Sequence, residues 1–480
     1  MIHVIYNIIK MYYLKVTQFL EKISKKTRSL QKTKLFPPMF CLILASVADA
    51  QPSKNPQHRQ KAEAARFRTE LNGISQLMYR TGVGAPHAGR FYAYALLGAY
   101  EIVSQHNSDY PSLKGQLIGY QGVEPSTGGK TDYPLSATLA TLKIACELMY
   151  ITADLEIAQK RLKLDALQNG LSQQVVDNSD KYAQNVCNAV MVYANRDGFR
   201  DMRKQMKLYS VKSGADKWQR TPPEFFPAVE WEWKTLRPFV LDSARQCKPA
   251  PPTEYSMIEG SAFRKMTEEV VEINKNLTAE QKEIALFWEN TSYTFHKVGT
   301  KAPKNQLRQT PGTHWMKITS HISDSLKADF DKTVWAHTLV ALTLHDGFIS
   351  TWAEKYRSER VRPITVIRAN IDKDWEPFLN TPAFPEYSSG HSVLSTAVAE
   401  ILSQIFGDNI TFTDDSEKYA GMKARPFSSF RAAAEEASVS RLYGGIHFRD
   451  AVENGKEQGK QLAKIIMKKL GNIMHTDKKF

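Results

Sequence analysis

The feature that most constrains this chain is the period of its apolar residues. "FYAYALLGAYEIVSQ" (91–105), "LSATLATLKIACELMYITADLEIAQKRLKLDAL" (135–167), "DFDKTVWAHTLVALTLHDGFISTWAEKYRS" (329–358) and "HSVLSTAVAEILSQIFG" (391–407) all place apolar side chains at helical spacing, about 3.6 residues per turn. No convincing run of strict alternation lasts more than a few residues, so half-buried strands are not expected. The fold class that follows is all-α. The Pro-rich stretches 220–227 and 248–253 read as loops. The segment between them, with Trp231 and Trp233, is expected to cap a hydrophobic surface. Residues 300–315, "TKAPKNQLRQTPGTHW", read as another loop, and Asn409–Phe427 as a long connection able to shape a pocket rim. A division follows into an N-terminal helical region, 51–260, and a C-terminal helical bundle, 261–480.

The first 50 residues read as an export signal with an upstream extension. Basic residues crowd Lys22 to Lys34, "LFPPMFCLILASVA" follows, and Ala48-Asp49-Ala50 offers a small-residue cleavage site. The apolar run is too short to span a bilayer. The expectation is a periplasmic or secreted protein starting at Gln51, with translation starting downstream of Met1, for example at Met11. Removing 1–50 takes away eight Lys/Arg and two Asp/Glu and lowers the formal charge from +14 to +8. No basic run or interleaved aromatic pattern points to nucleic acid; the excess charge suits a solvated surface and the steering of anions. After residue 50 the most apolar late stretch, 334–349, is interrupted by His337, His345 and Asp346, each costly in lipid, so no membrane insertion of the mature chain is expected. Cys146, Cys187 and Cys247 are too few for a disulfide framework or zinc site, though one bridge among them is open.

Three short stretches in the last third carry the chemistry: "KYRSERVRP" with Lys355 and Arg362-Pro363, "SSGH" ending at His391, and "SRLYGGIH" with Arg441 and His447. Singly each has an ordinary reading, as solvated cations, a structural histidine or a helix cap. Together they supply three cations, a hydroxyl at Ser389, a backbone N–H at Gly390 unshielded by a side chain, and the positive end of a helix dipole at His391. Guanidinium forks suit oxyanions. These parts describe a pocket for a tetrahedral or trigonal-bipyramidal oxyanion such as phosphate or vanadate. His447 lies six residues beyond Arg441, and the intervening Gly444-Gly445 permits the helix break that lets both point inward. A neutral imidazole there could bind a metal centre or attack phosphorus, and His391 could move a proton on a bound group.

In this order, Lys-x6-Arg-Pro, Ser-Gly-His and Ser-Arg-x5-His resemble the shared signature of vanadium-dependent haloperoxidases and type 2 phosphatidic acid phosphatases. "HDGFISTWAEKYRSERVRPITVIR", "FLNTPAFPEYSSGHS" and "SRLYGGIHF" resemble bacterial haloperoxidases, and a looser likeness spans most of 85–470. The resemblance implies two packed helical bundles with the active site in the C-terminal one, and vanadate as cofactor with His447 as its single covalent ligand. Lys355, Arg362, Ser389, Gly390 and Arg441 would neutralise its oxygens. His391 would accept a proton from hydrogen peroxide, Lys355 would polarise the bound peroxide, and Trp352 and Phe384 would line the halide side. Halide, iodide or bromide, would leave as hypohalous acid, with an organic acceptor as a further partner.

The sequence departs from the pattern at Ser388, where the family has proline, which is expected to loosen the loop. Phosphatase relatives carry an Asp four residues after the last His; here Asp450 is three after, and Ala451 takes the fourth place. Asp346 reads either as a partner behind the site or as a helix-surface acid. Two alternatives stand beside the haloperoxidase: an acid phosphatase working through a phosphohistidine at His447, and a non-catalytic oxyanion-binding protein.

Overall fold

The computed structural model describes residues 56–126, 128–205, 208–289 and 309–470. The expected export signal lies outside them, as do 300–308 of the expected loop and 471–480. Among the described residues fourteen α-helices carry the architecture: α1 Pro56–Arg80, α2 Ala85–Ser104, α3 Tyr133–Leu148, α4 Ala153–Gln168, α5 Gln173–Ala194, α6 Phe199–Gln205, α7 Ala262–Lys275, α8 Ala279–Phe287, α9 Pro311–Ser325, α10 Phe330–Ser358, α11 Pro363–Asn370, α12 Gly390–Phe406, α13 Phe430–Tyr443 and α14 Arg449–Lys469. Two three-residue strands, β1 Phe412–Asp414 and β2 Arg425–Phe427, form an antiparallel ribbon with Phe412 opposite Phe427. The fold is all-α, as expected, and the ribbon lies inside the 409–427 connection.

Helix α10 organises the molecule. Asp329 caps its start by accepting the Lys332 N–H at 2.8 Å, and every residue from Phe330 to Tyr356 but Lys332 is buried. A helix covered on all sides must satisfy its polar groups internally. Thr338 and Thr343 donate to carbonyls one turn back, and His337 sits between Ser320 Oγ and the Thr333 carbonyl. α10 packs on α2 along one side and on α9 and α12 along others; α2 continues through α3 to α4 and α5, and α12 to α13 and α14. The two helical groups thus share α10, and the described residues form one compact unit. The packing of α2 on α10 joins the regions on either side of residue 260.

The central segment caps this core as expected. Trp233 is buried in a short 3-10 turn against α10, and the amides of Phe239, Val240 and Leu241 all donate to Asp346 at 2.7–2.8 Å. Both expectations for Asp346 are corrected: it is neither on the surface nor behind the site, but fully buried, tying this segment to α10. The expected loop 300–315 also ends early. Thr310 accepts the Thr313 N–H and Pro311 opens α9, a Thr-Pro cap and first turn that starts a helix. Cys146, Cys187 and Cys247 are free thiols. Among the described residues no helix is long and apolar enough to cross a membrane.

Two close approaches set the site's floor. A Cβ at Gly459 of α14 would stand 2.5 Å from the Val393 carbonyl oxygen, and one at Gly455 3.1 Å from the Ser389 carbonyl oxygen. Glycine at both lets α14 lie directly against the first turns of α12.

Candidate active site

Each motif reaches the site through a specific break in helical structure. α10 ends at Glu359 in the left-handed region, φ 53°, and the Trp218 amide donates to the Glu359 carbonyl at 2.7 Å, holding the turn. The chain then extends to Arg362, and Pro363 starts α11 with its fixed φ and missing N–H. Ser389 caps α12: its hydroxyl oxygen accepts from the Ser392 N–H at 3.3 Å and the Ser392 hydroxyl at 2.9 Å. α13 stops at Tyr443, and Gly445 takes φ 71°, where a Cβ would stand 2.8 Å from the Asn274 side chain. The expected break between Arg441 and His447 is there, built on a left-handed glycine.

Seven of the nine residues read from the sequence line one cavity of about 50 Å³: Trp352, Lys355, Phe384, Gly390, His391, Arg441 and His447. At roughly 10–15 Å³ per water-sized group, that space holds a small oxyanion's worth of oxygens. Arg362 does not line it, but its Nη1 lies 3.3 Å from His447 Nε2. Ser389 is fully buried at the cap and does not line the cavity. The lining contains no Asp or Glu, and among the described residues no cluster of His, Cys, Asp and Glu could cage a metal cation. A cup of cations and imidazoles suits an oxyanion instead, and vanadate fits it.

The electrostatics agree. Burial, and then the neighbouring Arg362, push the Lys355 pKa well below the lysine range. Its Nζ nevertheless donates to the carbonyls of Pro385, Glu386 and Ser388 at 3.2, 3.1 and 2.6 Å. Three acceptors require three hydrogens, which only the ammonium has. Burial lowers Arg362 and Arg441 to about 10, leaving both charged at neutral pH. Arg362 also donates to the carbonyls of Phe384 and Ile446, yet its Nη2 has no hydrogen-bond partner. Such a buried orphan donor is costly without an acceptor.

Burial, then the surrounding cations, hold both histidines well below their ordinary pKa and hence neutral. His391 donates from one ring nitrogen to the Trp288 backbone, and its Nε2 is unpartnered. Beside the cations, with Lys355 Nζ 5.0 Å and the Arg362 guanidinium 5.1 Å from the Phe384 ring, the wall is apolar. The Trp352 and Phe384 rings lie 5.2 Å apart, Pro86, Pro311, Phe348 and Pro382 complete it, and Trp352 Nε1 has no partner.

One expectation needs correction. Ser388 does not loosen its loop: its carbonyl accepts from Lys355, and its hydroxyl donates to Gln458 Oε1 at 2.6 Å, while Gln458 bonds Ser350 at 3.0 Å. The hydroxyl ties the loop to α14 and α10 where proline could not. The 409–427 connection does help shape a pocket, a wider groove separate from this cavity, which Asp414–Ser416 and Tyr419 line against α1 and α9. One residue escaped the sequence reading altogether. Glu386, fully buried, accepts from His447 Nδ1 at 2.8 Å and from the Phe448 N–H at 2.9 Å. The only sequence signal was a lone acid in the apolar run "AFPEY".

Comparison with known proteins accords with this geometry. Residues 336–476 match the family model described as the VCPO second helical-bundle domain. The chain is similar to a protein whose crystal structure is described as that of the first bacterial vanadium-dependent iodoperoxidase, with 37% identity, TM-score 0.78, and coverage of 85% of this chain and 96% of that one. It shares its fold with holo and apo forms of a bacterial vanadium-dependent chloroperoxidase, both 14% identical, with TM-scores of 0.56 and 0.57. These matches cover 82% and 80% of this chain and 94% and 93% of those. No curated protein matches the chain.

Proposed function

Because the chain belongs to the vanadium-dependent haloperoxidases, we propose that its preferred halide is iodide and that His447 Nε2 is the vanadate ligand. Oxidation of halide by hydrogen peroxide, with vanadate as cofactor, is the activity of the family. Vanadate supplies a Lewis-acidic centre at which peroxide is activated. The remaining work falls to the protein's own groups. Lys355, Arg362 and Arg441 offset the anion's charge, and the unpaired Arg362 Nη2 is a donor for one of its oxygens. The Gly390 N–H opens the first turn of α12, where helix donors are free. His391, neutral and with Nε2 unpartnered, accepts the peroxide proton.

The observation that carries this reading is the gathering of Lys355, Arg441 and two neutral imidazoles around one small cavity, with Arg362 in hydrogen-bond reach of His447 Nε2. Iodide preference is supported by the 37% identity to an iodoperoxidase and by the apolar wall at Trp352 and Phe384. A large, weakly hydrated anion loses least on leaving water for such a wall. Export belongs to the same reading, on the strength of the 1–50 signal pattern.

The test is halide oxidation by the 51–480 chain with and without orthovanadate. Iodide turnover should depend on vanadate and exceed bromide turnover. His391→Ala should keep vanadate binding and lose about 10²–10⁴-fold in rate. Faster bromide turnover would sink the halide assignment. Phosphate-monoester hydrolysis by vanadate-free protein, with no halide oxidation after loading, would favour the acid phosphatase.

A further inference from the structure

A nitrogen that binds a metal centre must offer a lone pair, so the proton on His447 has to sit on the other nitrogen. Two independent contacts determine which. Nε2 faces Arg362 Nη1 at 3.3 Å, and a guanidinium can only donate, so Nε2 is the lone-pair nitrogen. Nδ1 faces Glu386 Oε1 at 2.8 Å, and the same oxygen already accepts the Phe448 N–H at 2.9 Å. Nδ1 therefore carries the hydrogen and donates it to the carboxylate.

Glu386 is in turn held in place. Its Oε2 lies 3.5 Å from Arg360 Nη1, which pairs with Asp450 Oδ1 at 2.6 Å. Asp450 Oδ2 accepts the Thr253 N–H at 2.9 Å. The Lys355 ammonium grips the Glu386 carbonyl from the other side. The carboxylate, fully buried, cannot swing away to solvent. The orienting acid that phosphatase relatives carry four residues after the last histidine is Ala451 here, and a carboxylate from a different segment does that work instead.

We propose that Glu386 is the positioning residue of the vanadate ligand, fixing His447 in its Nδ1–H form and strengthening Nε2 as a donor to the metal centre. The inference rests on the reading of His447 as that ligand. Carboxylates behind ligating histidines act this way in metal sites, and their loss costs about 10–100-fold in affinity.

The test compares two oxyanions on the full chain. Vanadate would form a bond to His447, whereas inorganic phosphate is held only by the charges and donors of the cup. Removing a buried negative charge behind the cup favours any anion electrostatically. Glu386→Gln should therefore weaken vanadate binding about 10–100-fold while leaving phosphate binding unchanged or tighter, both read by calorimetric titration. Equal weakening of both would mean that the cup had collapsed, and the proposal would fall. It would fall equally if vanadate affinity stayed at the wild-type value. His447→Ala separates the underlying reading: vanadate affinity should drop to the level of phosphate, and an unchanged value would remove His447 as ligand whatever Glu386 does. Should Glu386→Gln not fold, Glu386→Asp keeps the charge but withdraws the carboxylate by one methylene. It should show a smaller loss for vanadate with phosphate unaffected, and no loss for vanadate would overturn the proposal.

Discussion

His314 shows what a single buried imidazole can do for stability. Its Nε2 lies 2.7 Å from Asp414 Oδ2, Glu417 approaches its Nδ1 at 3.7 Å, and its ring stacks on Trp288 with centroids 4.5 Å apart. Burial opposes the charged imidazole, but Asp414, with Glu417 behind it, outweighs burial and raises the His314 pKa. Burial opposes the Asp414 carboxylate too, and His314 in turn holds it below its ordinary value. A raised histidine pKa gives stability that is complete below about 6.5 and lost as pH rises through the folded value; the lowered aspartate gives stability lost as pH falls through its own. His314→Leu should cost about 3–5 kcal/mol near pH 6, because it strands a buried carboxylate. The gap to wild type, read from urea unfolding, should narrow as pH rises through the raised folded value of His314; a gap that widened would refute the assignment. At this scale the site was largely legible: Lys355, Arg362, Gly390, His391, Arg441 and His447 stand in recognisable spacings. Glu386 was not, because its role depends on meeting a histidine 61 residues away, and spacing along the chain says nothing of such a meeting.

Helix identity was read well because long amphipathic or buried helices impose their period on many residues at once. The failures lie where elements are short. β1 and β2 are three residues each, too brief for alternation to register, and the start of α9 at Pro311 was absorbed into a Pro-containing loop. What no period reports is how closely two helices approach. The Cβ of any residue at 459 would meet the Val393 carbonyl oxygen at 2.5 Å and Thr396 Cβ at 3.0 Å. Gly459→Val should therefore push α14 off α12 and cost about 1–3 kcal/mol, measured by urea unfolding. A variant as stable as wild type would show that the two helices yield there.

Across the molecule, α10 is the member both helical groups require. Unfolding of either group strips its cover, so far-UV circular dichroism and tryptophan fluorescence should report one coincident urea transition. Two separated transitions would mean that the groups on either side of α10 are independent after all. The last turn of that same helix carries Lys355, whose three hydrogens clasp the Pro385, Glu386 and Ser388 carbonyls. One nitrogen is thus both a rivet for the neighbouring segment and a source of electric field in the chamber. A substitution there releases the rivet and extinguishes the field together, so a lost turnover at position 355 cannot be credited to chemistry alone. Only replacements that keep the clasp while shifting the charge can tell the two apart.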